Sequence, residues 1–429
     1  MLDIKNSLLF DDLLKYIKAE NALINEIRTI GLDISASDDE QEGRKKELIS
    51  KLREKGAIFR NSGKSVYINS ISFACLECRK GDKSKTFFYS LSCNRNCYFC
   101  SNQNQENYEE NVRNRRNIKA EFDDIKNYEN LQAIAVTGGE PLMNPEEVYS
   151  FFRYVNKKAS NIHKRLYTNG DYINEKILKK LQSVGLNEIR FSLKPEDFNN
   201  YHKIIEKLSF SKKYIKDVMV EMPVIPNTLS EMKVFLSELE NIKIYGINLL
   251  EFLFPWINPE EYKKRGFKIK SRPYEVLYSY TYAGGLPVSG SEEECLELLL
   301  FALENKFKIG VHYCSLENKL TSQIYNQNAN VKLMPYEVFS DNDFFIKTAK
   351  VYGDDAKKVI EIVKNENEYI YDENKKVVEF HPKYIKKLPA GVEVAISYNV
   401  VEELNGEKIL REIKLDVTNS DIFDYIKDI

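Results

Sequence analysis

Short apolar runs alternate with helix-patterned stretches through the middle of the 429-residue chain, and this alternation constrains the fold most strongly. The runs are rich in branched residues and read LQAIAVT, RLYTNG, EIRFSL, VMVEMPVI, INLLEF and KIGVHY. Between them, apolar residues recur at helical spacing in PEEVYSFFRYVNKK, NEKILKKLQSVG, FNNYHKIIEKL, LSEMKVFLSELEN and EEECLELLLFALEN. Strand, helix, strand repeated about six times predicts a parallel α/β sheet with right-handed crossovers. We therefore expect a partial (β/α)6-type parallel barrel.

Segments with other patterns flank this region. The N-terminal segment is charged and carries two predicted helices separated by SASDDEQEG, the second of which ends near Leu52. Near the C-terminus a helix is predicted at about 354–365, and VEVAISYNVV and ILREIKLDV indicate a hairpin around ELNGEK. We expect three domains: an N-terminal helical extension over 1–65, the partial barrel over 66–320, and a small C-terminal α+β domain over 321–429.

The charge balance limits the partners that we expect. The chain has 63 Lys and Arg against 65 Asp and Glu, so no overall field attracts it to nucleic acid or to an anionic membrane. No window approaches the roughly 18 uninterrupted apolar residues of a membrane span. The start, MLDIKNSLLFDDLLKY, has charges where a secretory apolar segment would lie. We expect a cytoplasmic protein with neither nucleic-acid nor membrane partners.

The cysteines carry the strongest chemical signal. There are seven, an odd number, which argues against a disulfide framework and for thiolates that act as metal ligands or nucleophiles. Cys93, Cys97 and Cys100 form a C-x3-C-x2-C run, a spacing that chance would produce with a probability of about 0.002. Three thiolates from one loop hold three corners of a [4Fe-4S] cube and leave one iron without a protein ligand. The alternative is a zinc site or an electron-carrying cluster, but both normally use four protein ligands.

Two motifs together resemble the radical S-adenosylmethionine (radical SAM) superfamily. The first is the cysteine run, with Phe99 as the aromatic residue before its last cysteine, and the second is TGGEPL at 137–142, after the next predicted strand. The resemblance covers roughly residues 67–314. Within the superfamily, the combination of CLECRKG, TFFYSLSCNRNCYFC, LYTNG, GLNEIRFS and VHYCS resembles an uncharacterised group related to pyruvate formate-lyase activating enzymes.

The resemblance implies two cofactors, a [4Fe-4S] cluster and SAM. The implied cluster ligands, which are also the catalytic cysteines, are Cys93, Cys97 and Cys100. The residues that we expect to bind SAM are Phe99, Gly138, Gly139, Glu140 and Ser192. In the family the Gly-Gly-Glu segment holds the amino group of SAM's methionine. This role suits the residue types, because glycines admit a ligand close to the backbone and a carboxylate accepts hydrogen bonds from an ammonium group.

The resemblance also implies a reaction. An electron from a low-potential donor, flavodoxin or ferredoxin, cleaves SAM to methionine and a 5′-deoxyadenosyl radical, which abstracts hydrogen from a carbon centre. We expect that centre in a peptide or protein. The alternative within the superfamily is a radical SAM enzyme that modifies a tRNA, a cofactor or a small metabolite. Outside it, the alternative is an iron-sulfur electron carrier or sensor, which has no need to bind SAM.

Four further cysteines, Cys75, Cys78, Cys295 and Cys314, match the ligand count of a second zinc, iron or iron-sulfur site. If CLECRKGDKSK is the bend of a hairpin, the next strand separates Cys75 and Cys78 from Cys93 by roughly 23 Å. Cys295 and Cys314 are expected near the other, carboxyl ends of the strands. One joint site therefore requires the CLEC segment to leave the hairpin path. One four-cysteine site, a three-cysteine site and separate unliganded thiols all stay open at this point.

Overall fold

The computed structural model describes residues 4–36, 39–80, 83–125, 127–194, 201–276, 284–364 and 367–429. The chain divides into two compact units. The larger consists of Gly31–Pro273 and Tyr280–Leu320, and the smaller of Met1–Ile30, Tyr274–Ser279 and Thr321–Ile429. The expected N-terminal extension, residues 1–65, is therefore divided between the two units.

Strands and helices alternate along most of the described chain. The strands are β1 (Ile58–Arg60), β2 (Ser65–Ile68), β3 (Ser84–Ser90), β4 (Ala133–Gly138), β5 (His163–Thr168), β6 (Glu188–Ser192), β7 (Asp217–Val224), β8 (Gly246–Glu251), β9 (Leu253–Phe254), β10 (Leu286–Pro287), β11 (Gly310–Cys314), β12 (Val338–Phe339), β13 (Ile346–Tyr352), β14 (Tyr369–Asp372), β15 (Val377–Phe380), β16 (Val394–Leu404) and β17 (Glu407–Thr418). The α-helices are α1 (Ser7–Thr29), α2 (Asp39–Glu54), α3 (Phe73–Glu77), α4 (Tyr108–Arg113), α5 (Ile118–Asp123), α6 (Pro145–Lys158), α7 (Glu175–Ser183), α8 (Tyr201–Ser211), α9 (Leu229–Asn241), α10 (Pro259–Lys264), α11 (Ser291–Glu304), α12 (Leu316–Asn328), α13 (Asp354–Val363) and α14 (Tyr425–Asp428). Over these ranges, no helix combines the length and the apolar character that a membrane crossing requires.

A nine-stranded sheet organises the larger unit, in the order β1-β2-β11-β8-β7-β6-β5-β4-β3. The strands from β3 to β8, together with β11, pair in parallel, whereas β2 pairs antiparallel with both β11 and β1. The predicted parallel α/β architecture is confirmed. Within the described residues β1 and β3 are the two edges of the sheet, so it forms a partial rather than a closed barrel.

Helices cover one face of this sheet. The buried apolar side chains on that face come from alternate strand positions, as in Ile134 and Val136 of β4. The sequence PEEVYSFFRYVNKK forms α6 as predicted, and its buried stripe includes Phe151 and Phe152. The ring of Phe151 lies 5.0 Å from that of Phe87 in β3, measured between centroids. On the opposite face, β5 to β8 and β11 carry polar side chains, which are described below.

Of the two paths considered for CLECRKGDKSK, the chain does not take the hairpin path, because β2 and β3 do not pair. The strand before it, β2, pairs with β1 and β11, and the strand after it, β3, lies at the other edge of the sheet. The segment between them begins with the short helix α3 and spans the sheet instead of turning back on β2. A period-two pattern identifies a strand but carries no information about which strand it pairs with. Here β3 pairs in parallel with β4 and not with β2.

In the smaller unit α1 packs on a six-stranded antiparallel sheet, β14-β15-β13-β16-β17 with β12 beside β13. The helix buries Leu9 against Tyr352 and Leu415 of this sheet, and Asn6 caps its N-terminus. The predicted C-terminal hairpin is present as β16 and β17. Its turn residues Asn405 and Gly406 have φ of 53° and 82°, as a two-residue hairpin turn requires.

Phe151→Ala is expected to destabilise the larger unit by about 3–5 kcal/mol, because it removes a buried ring from between α6 and the sheet. The control is Val234→Ala at an exposed position of α9, which should change the free energy of unfolding by less than about 0.5 kcal/mol. Urea unfolding followed by circular dichroism measures both changes. Equal midpoints for the two variants would contradict the packing described.

Candidate active site

The loop of Cys93, Cys97 and Cys100 (the cysteine loop) follows β3, the first parallel strand. Cys93 is exposed, and the other two cysteines are partly buried. The amide of Cys100 donates to the carbonyl of Cys97 at 3.1 Å. Burial raises the pKa of the Cys97 and Cys100 thiols; the Lys194 ammonium lowers that of Cys97, and the Cys93 thiol raises both. The three thiols thus share one electrostatic neighbourhood.

The cysteine loop is held against the Gly-Gly-Glu segment at the end of β4. The amide of Gly139 donates to the carbonyl of Ser90 at 2.8 Å, and the amide of Glu140 donates to that of Ser92 at 2.9 Å. A Cβ at Gly138 would overlap the Ser90 carbonyl oxygen, and one at Gly139 would overlap that of Ser92. Gly138 also has a φ of +142°, which L side chains rarely adopt. We expected the glycines to admit a ligand, but the group that approaches them here is the backbone directly before Cys93.

Further hydrogen bonds fix both flanks of the cysteine loop. Asn102 donates its Nδ2 to the carbonyl of Gly138 at 2.7 Å. Arg95 pairs with both carboxylate oxygens of Asp171, at 2.6 and 2.8 Å, and Asn94 donates to the same carboxylate at 2.8 Å. Such bidentate pairs restrict geometry as well as contribute energy. The loop is therefore tied both to the end of β4 and to the turn that follows β5.

Glu140 is buried and joins the carboxyl ends of β4 and β5. Its carboxylate accepts hydrogen bonds from the Leu142 amide at 2.9 Å, the Thr168 hydroxyl at 2.8 Å and the Asn169 amide at 2.6 Å. Burial raises the pKa of Glu140, and these three donors oppose that rise. An ionised carboxylate has about four lone-pair positions that can accept hydrogen bonds. Three are used by these donors, so about one is left for the expected ammonium group of SAM.

The remaining expected SAM-binding residues lie on different elements. Ser192 ends β6 with an exposed side chain. Phe99 packs edge-to-face on Phe252, which follows β8, at 5.6 Å between ring centroids. Phe99 also packs edge-to-face on Tyr98, at 5.0 Å between ring centroids. In this structure Phe99 thus belongs to an aromatic cluster that anchors the cysteine loop to the strand end of β8.

The face of the sheet opposite the helices carries a connected polar network. Arg190 forms ion pairs with Glu188 and, at 2.5 Å, with Glu221. Asn248 donates to Glu221 at 2.8 Å, and its Oδ1 lies 3.0 Å from His312 Nδ1. We call this surface the polar face; its members are Arg165, Tyr167, Glu188, Arg190, Glu221, Asn248, His312 and Cys314.

The helix α3 brings two cysteines to the polar face, beside Cys314 at the end of β11. Arg190 Nη2 donates to Cys75 Sγ at 3.2 Å, and Asn248 Nδ2 lies 3.5 Å from the same sulfur. Burial opposes ionisation of Cys75, but Arg190 lowers the pKa of this thiol to about 6. Burial and the Cys75 thiol raise the pKa of both Cys78 and Cys314. Three of the four remaining cysteines are thus neighbours.

Cys295 does not join them. It lies in α11 with a fully buried side chain, within the apolar core on the helix-covered face of the sheet. Its Sγ lies 3.9 Å from the carbonyl oxygen of Leu250. Cys314 projects from the opposite face, so among the arrangements left open by the sequence this geometry does not favour the joint four-cysteine site. The physical reason is that the helix and the strand contribute these two cysteines to opposite sides of one sheet.

The residues of the cysteine loop fit an iron-sulfur cluster by their chemistry. Over the described ranges of the chain, no three His, Cys, Asp or Glu side chains already surround a point that could hold a metal ion. The loop nevertheless supplies three thiols within eight residues, and Gly138 and Gly139 fix the backbone from which it starts. Thiolate is the ligand that iron-sulfur clusters take.

A parallel α/β sheet whose first strand ends in a C-x3-C-x2-C loop, docked on a Gly-Gly-Glu segment, defines the class of SAM-dependent iron-sulfur enzymes. The family model described as "Radical SAM superfamily" matches residues 88–237. A protein of Methanocaldococcus jannaschii named "Putative glycyl-radical enzyme activating enzyme MJ0021" is 31% identical over 319 residues, which cover 70% of this chain and 80% of that protein. The chain belongs to the radical SAM superfamily and is a radical SAM enzyme. The superfamily implies a [4Fe-4S] cluster and SAM.

Other similarities are shorter or more distant. "Uncharacterized protein MJ0907" of the same organism is 33% identical over 96 residues, 22% of this chain and 32% of that protein. Among solved structures, Streptococcus suis SuiB bound to precursor peptide SuiA has a TM-score of 0.39 and 12% identity, covering 75% of this chain and 66% of that chain. Native anSMEcpe with bound AdoMet and Cp18Cys peptide has a TM-score of 0.32 and 19% identity, covering 40% and 51%.

Sequence reasoning missed four residues that hold the site together, namely Asn94, Arg95, Asn102 and Asp171. All four are common loop residues, and their partners lie about 30 or more positions away in the chain. In the sequence, three of them lie within or just after the cysteine run, and Asp171 directly follows LYTNG. This nearness in sequence was the only signal that could have identified them. A contact between two loops leaves no periodic pattern, so only the fold identifies the pairs.

Gly139→Ala is expected to weaken SAM binding to the anaerobically reconstituted protein by about tenfold or more, because overpacking a fixed backbone contact costs about 1–3 kcal/mol. The control is Gly43→Ala in α2, where an added Cβ meets nothing within 4 Å. Equilibrium dialysis with labelled SAM measures both. Wild-type affinity in the Gly139 variant would show that the contact does not position the SAM-binding segment.

Glu188 generates a prediction about pH. Burial raises its pKa, but Arg190, His163 and Ser72 lower it well below the usual range. A depressed folded-state pKa adds stability above the unfolded pKa of about 4.3 and loses about 1.4 kcal/mol for each pH unit below it. We therefore expect Glu188→Gln to cost about 3–5 kcal/mol at pH 7 and about 2 kcal/mol less at pH 3.

The measurement is urea unfolding of the wild type and the Glu188 variant at both pH values. Glu206→Gln, at an exposed position of α8, is the matched control and should change the free energy of unfolding by less than about 0.5 kcal/mol at either pH. A cost of Glu188→Gln that is the same at pH 7 and pH 3 would contradict the pairing of this carboxylate.

Proposed function

We propose that this radical SAM enzyme abstracts a hydrogen atom from a carbon centre in a peptide or protein. The docking of the cysteine loop on Gly138 and Gly139 is the observation that carries the proposal. It brings an iron-ligating loop and a SAM-binding segment together at the carboxyl ends of parallel strands, where ligands bind in open α/β sheets. The polar face lies on the neighbouring parallel strands β5 to β8 and β11.

Cys93, Cys97 and Cys100 are the proposed cluster ligands, and each would supply one thiolate. With SAM bound, the cluster supplies one-electron cleavage of SAM to methionine and a 5′-deoxyadenosyl radical. The exposure of Cys93 supports an outer edge at which a low-potential flavodoxin or ferredoxin delivers the electron. The ties from Arg95 and Asn102 keep the loop backbone in position during this exchange.

The methionine end of SAM is assigned to the Gly-Gly-Glu segment. Glu140 keeps the ends of β4 and β5 together through Thr168 and Asn169 and offers its remaining lone pair to the SAM ammonium group. Lys194, whose charge acts on the Cys97 thiol, is a candidate partner for the SAM carboxylate. Ser192 and Phe99 stand as the proposed contacts for the rest of SAM.

The substrate class rests on the Methanocaldococcus relative. A glycyl-radical enzyme activating enzyme, as that protein is named, acts on another protein. In the proposed step a C–H bond of the substrate breaks and a C–H bond forms at C5′ of deoxyadenosine, while the unpaired electron remains on the substrate carbon. The polar face suits this chemistry, because its residues Arg190 and His312 are buried from bulk water.

Anaerobically reconstituted protein with SAM and dithionite is expected to form 5′-deoxyadenosine. Cys97→Ala should lower the rate at least a hundredfold, whereas Cys295→Ala, in the apolar core, should retain it within about twofold. Chromatography of the nucleoside products measures both. Loss of SAM binding in Glu140→Ala separates this enzyme from an iron-sulfur carrier or sensor, because a carrier has no SAM site to lose.

The substrate class has its own test. The enzyme is incubated with a deuterium-labelled cell extract, separated into its protein fraction and its low-molecular-mass filtrate, and deuterium in 5′-deoxyadenosine is measured by mass spectrometry. Transfer from the protein fraction supports a protein substrate. Transfer from the filtrate alone contradicts it and favours a cofactor or metabolite.

A further inference from the structure

Three cysteines that the proposed chemistry does not use lie together on the polar face. We propose that Cys75, Cys78 and Cys314 bind a second metal centre of the thiophilic class, iron in an iron-sulfur cluster or zinc. The proposal concerns a site in the interior of the larger unit. It does not depend on SAM cleavage or on the identity of the substrate.

The backbone around the three thiols is well fixed. Cys75 and Cys78 are three residues apart at the end of α3, a spacing that puts both side chains on one helix face. Arg60 donates to the carbonyls of Cys75 and Leu76, at 3.2 and 2.9 Å, and so holds the C-terminal end of this short helix. Cys314 comes from β11, so two separate elements supply the ligands.

The side chains around the sulfurs are hydrogen-bond donors. Arg190 Nη2 and Asn248 Nδ2 approach Cys75 Sγ at 3.2 and 3.5 Å, and Asn318 Nδ2 approaches Cys314 Sγ at 3.3 Å. Donors around sulfur suit a thiolate, and metal-bound thiolates commonly accept such bonds from the surrounding shell. Among the three, this environment favours the thiolate form of Cys75 in particular.

Arg165 supplies an independent observation. Its side chain is only 5% exposed, and its Nε has no hydrogen-bond partner within the described part of the chain. The guanidinium carbon of Arg165 lies 5.0 Å from the centroid of the Tyr167 ring. The charge of Arg165 acts to lower the pKa of the Cys75 and Cys78 thiols. A metal centre with three thiolate ligands is anionic, so its charge suits a position beside this guanidinium.

The ligand set has three members because the other candidates are engaged elsewhere. His312 has partners at both ring nitrogens, Ser65 Oγ at 2.8 Å and Asn248 Oδ1 at 3.0 Å. Cys295 is fully buried in the apolar core, away from the other three cysteines.

The test removes the first cluster and asks whether metal remains. The triple variant Cys93→Ala, Cys97→Ala, Cys100→Ala is purified anaerobically, and its iron and zinc are counted by elemental analysis and its absorption spectrum recorded. We expect stoichiometric metal, with zinc alone indicating a mononuclear site and iron with visible absorption indicating a cluster. Adding Cys75→Ala or Cys314→Ala should lower the retained metal at least tenfold, whereas adding Cys295→Ala should leave it unchanged.

Two results would overturn the proposal. One is substoichiometric metal in the triple variant when its urea midpoint matches that of the wild type. The other is an equal loss of metal from the Cys75 and Cys295 variants. If Cys314→Ala does not fold, Cys75→Ser in the same background decides, because it keeps the side-chain volume and removes the soft ligand. No arm measures activity, so failure of the proposed function leaves this test intact.

Discussion

The site depends on a backbone contact that only glycine permits. Gly138 and Gly139 lie against the carbonyls of Ser90 and Ser92, and two amide hydrogen bonds hold the strands' ends together there. Because Cys93 follows directly, this contact determines where the cysteine loop starts. Glu140 then extends the connection to the end of β5, and Arg95 returns it to the loop through the turn after β5. The cysteine loop and the Gly-Gly-Glu segment, the proposed cluster-binding and SAM-binding segments, are therefore parts of one closed set of contacts.

The two faces of the nine-stranded sheet are packed in different ways. Helices and apolar strand residues occupy one face, while the other holds Arg190 between Glu188 and Glu221 in a buried network. Buried ion pairs add little net stability compared with an apolar core, because their desolvation is expensive. Their value here is positional, since the same Arg190 that pairs with both glutamates also donates to Cys75.

Regular elements were predictable where a local pattern determines them. The stripe of PEEVYSFFRYVNKK specified α6, and the Asn405–Gly406 turn specified the C-terminal hairpin, because both need only neighbours in sequence. The partner of β2 was not predictable, since a period-two strand pairs equally well on either side. An amphipathic helix likewise does not specify the surface that it covers.

The sequence by itself determined the superfamily. Three cysteines at fixed spacing and a Gly-Gly-Glu segment after the next strand are local patterns, and they sufficed to identify the superfamily. The tertiary structure alone decided which cysteines are neighbours. Cys295 and Cys314 are 19 positions apart yet lie on opposite faces of the sheet, whereas Cys75 and Cys314 are far apart in sequence and lie on the same face. Two features decide which cysteines share a face: the alternation of side chains along strands, and the path of the chain between β2 and β3. The spacing of the cysteines in the sequence specifies neither feature.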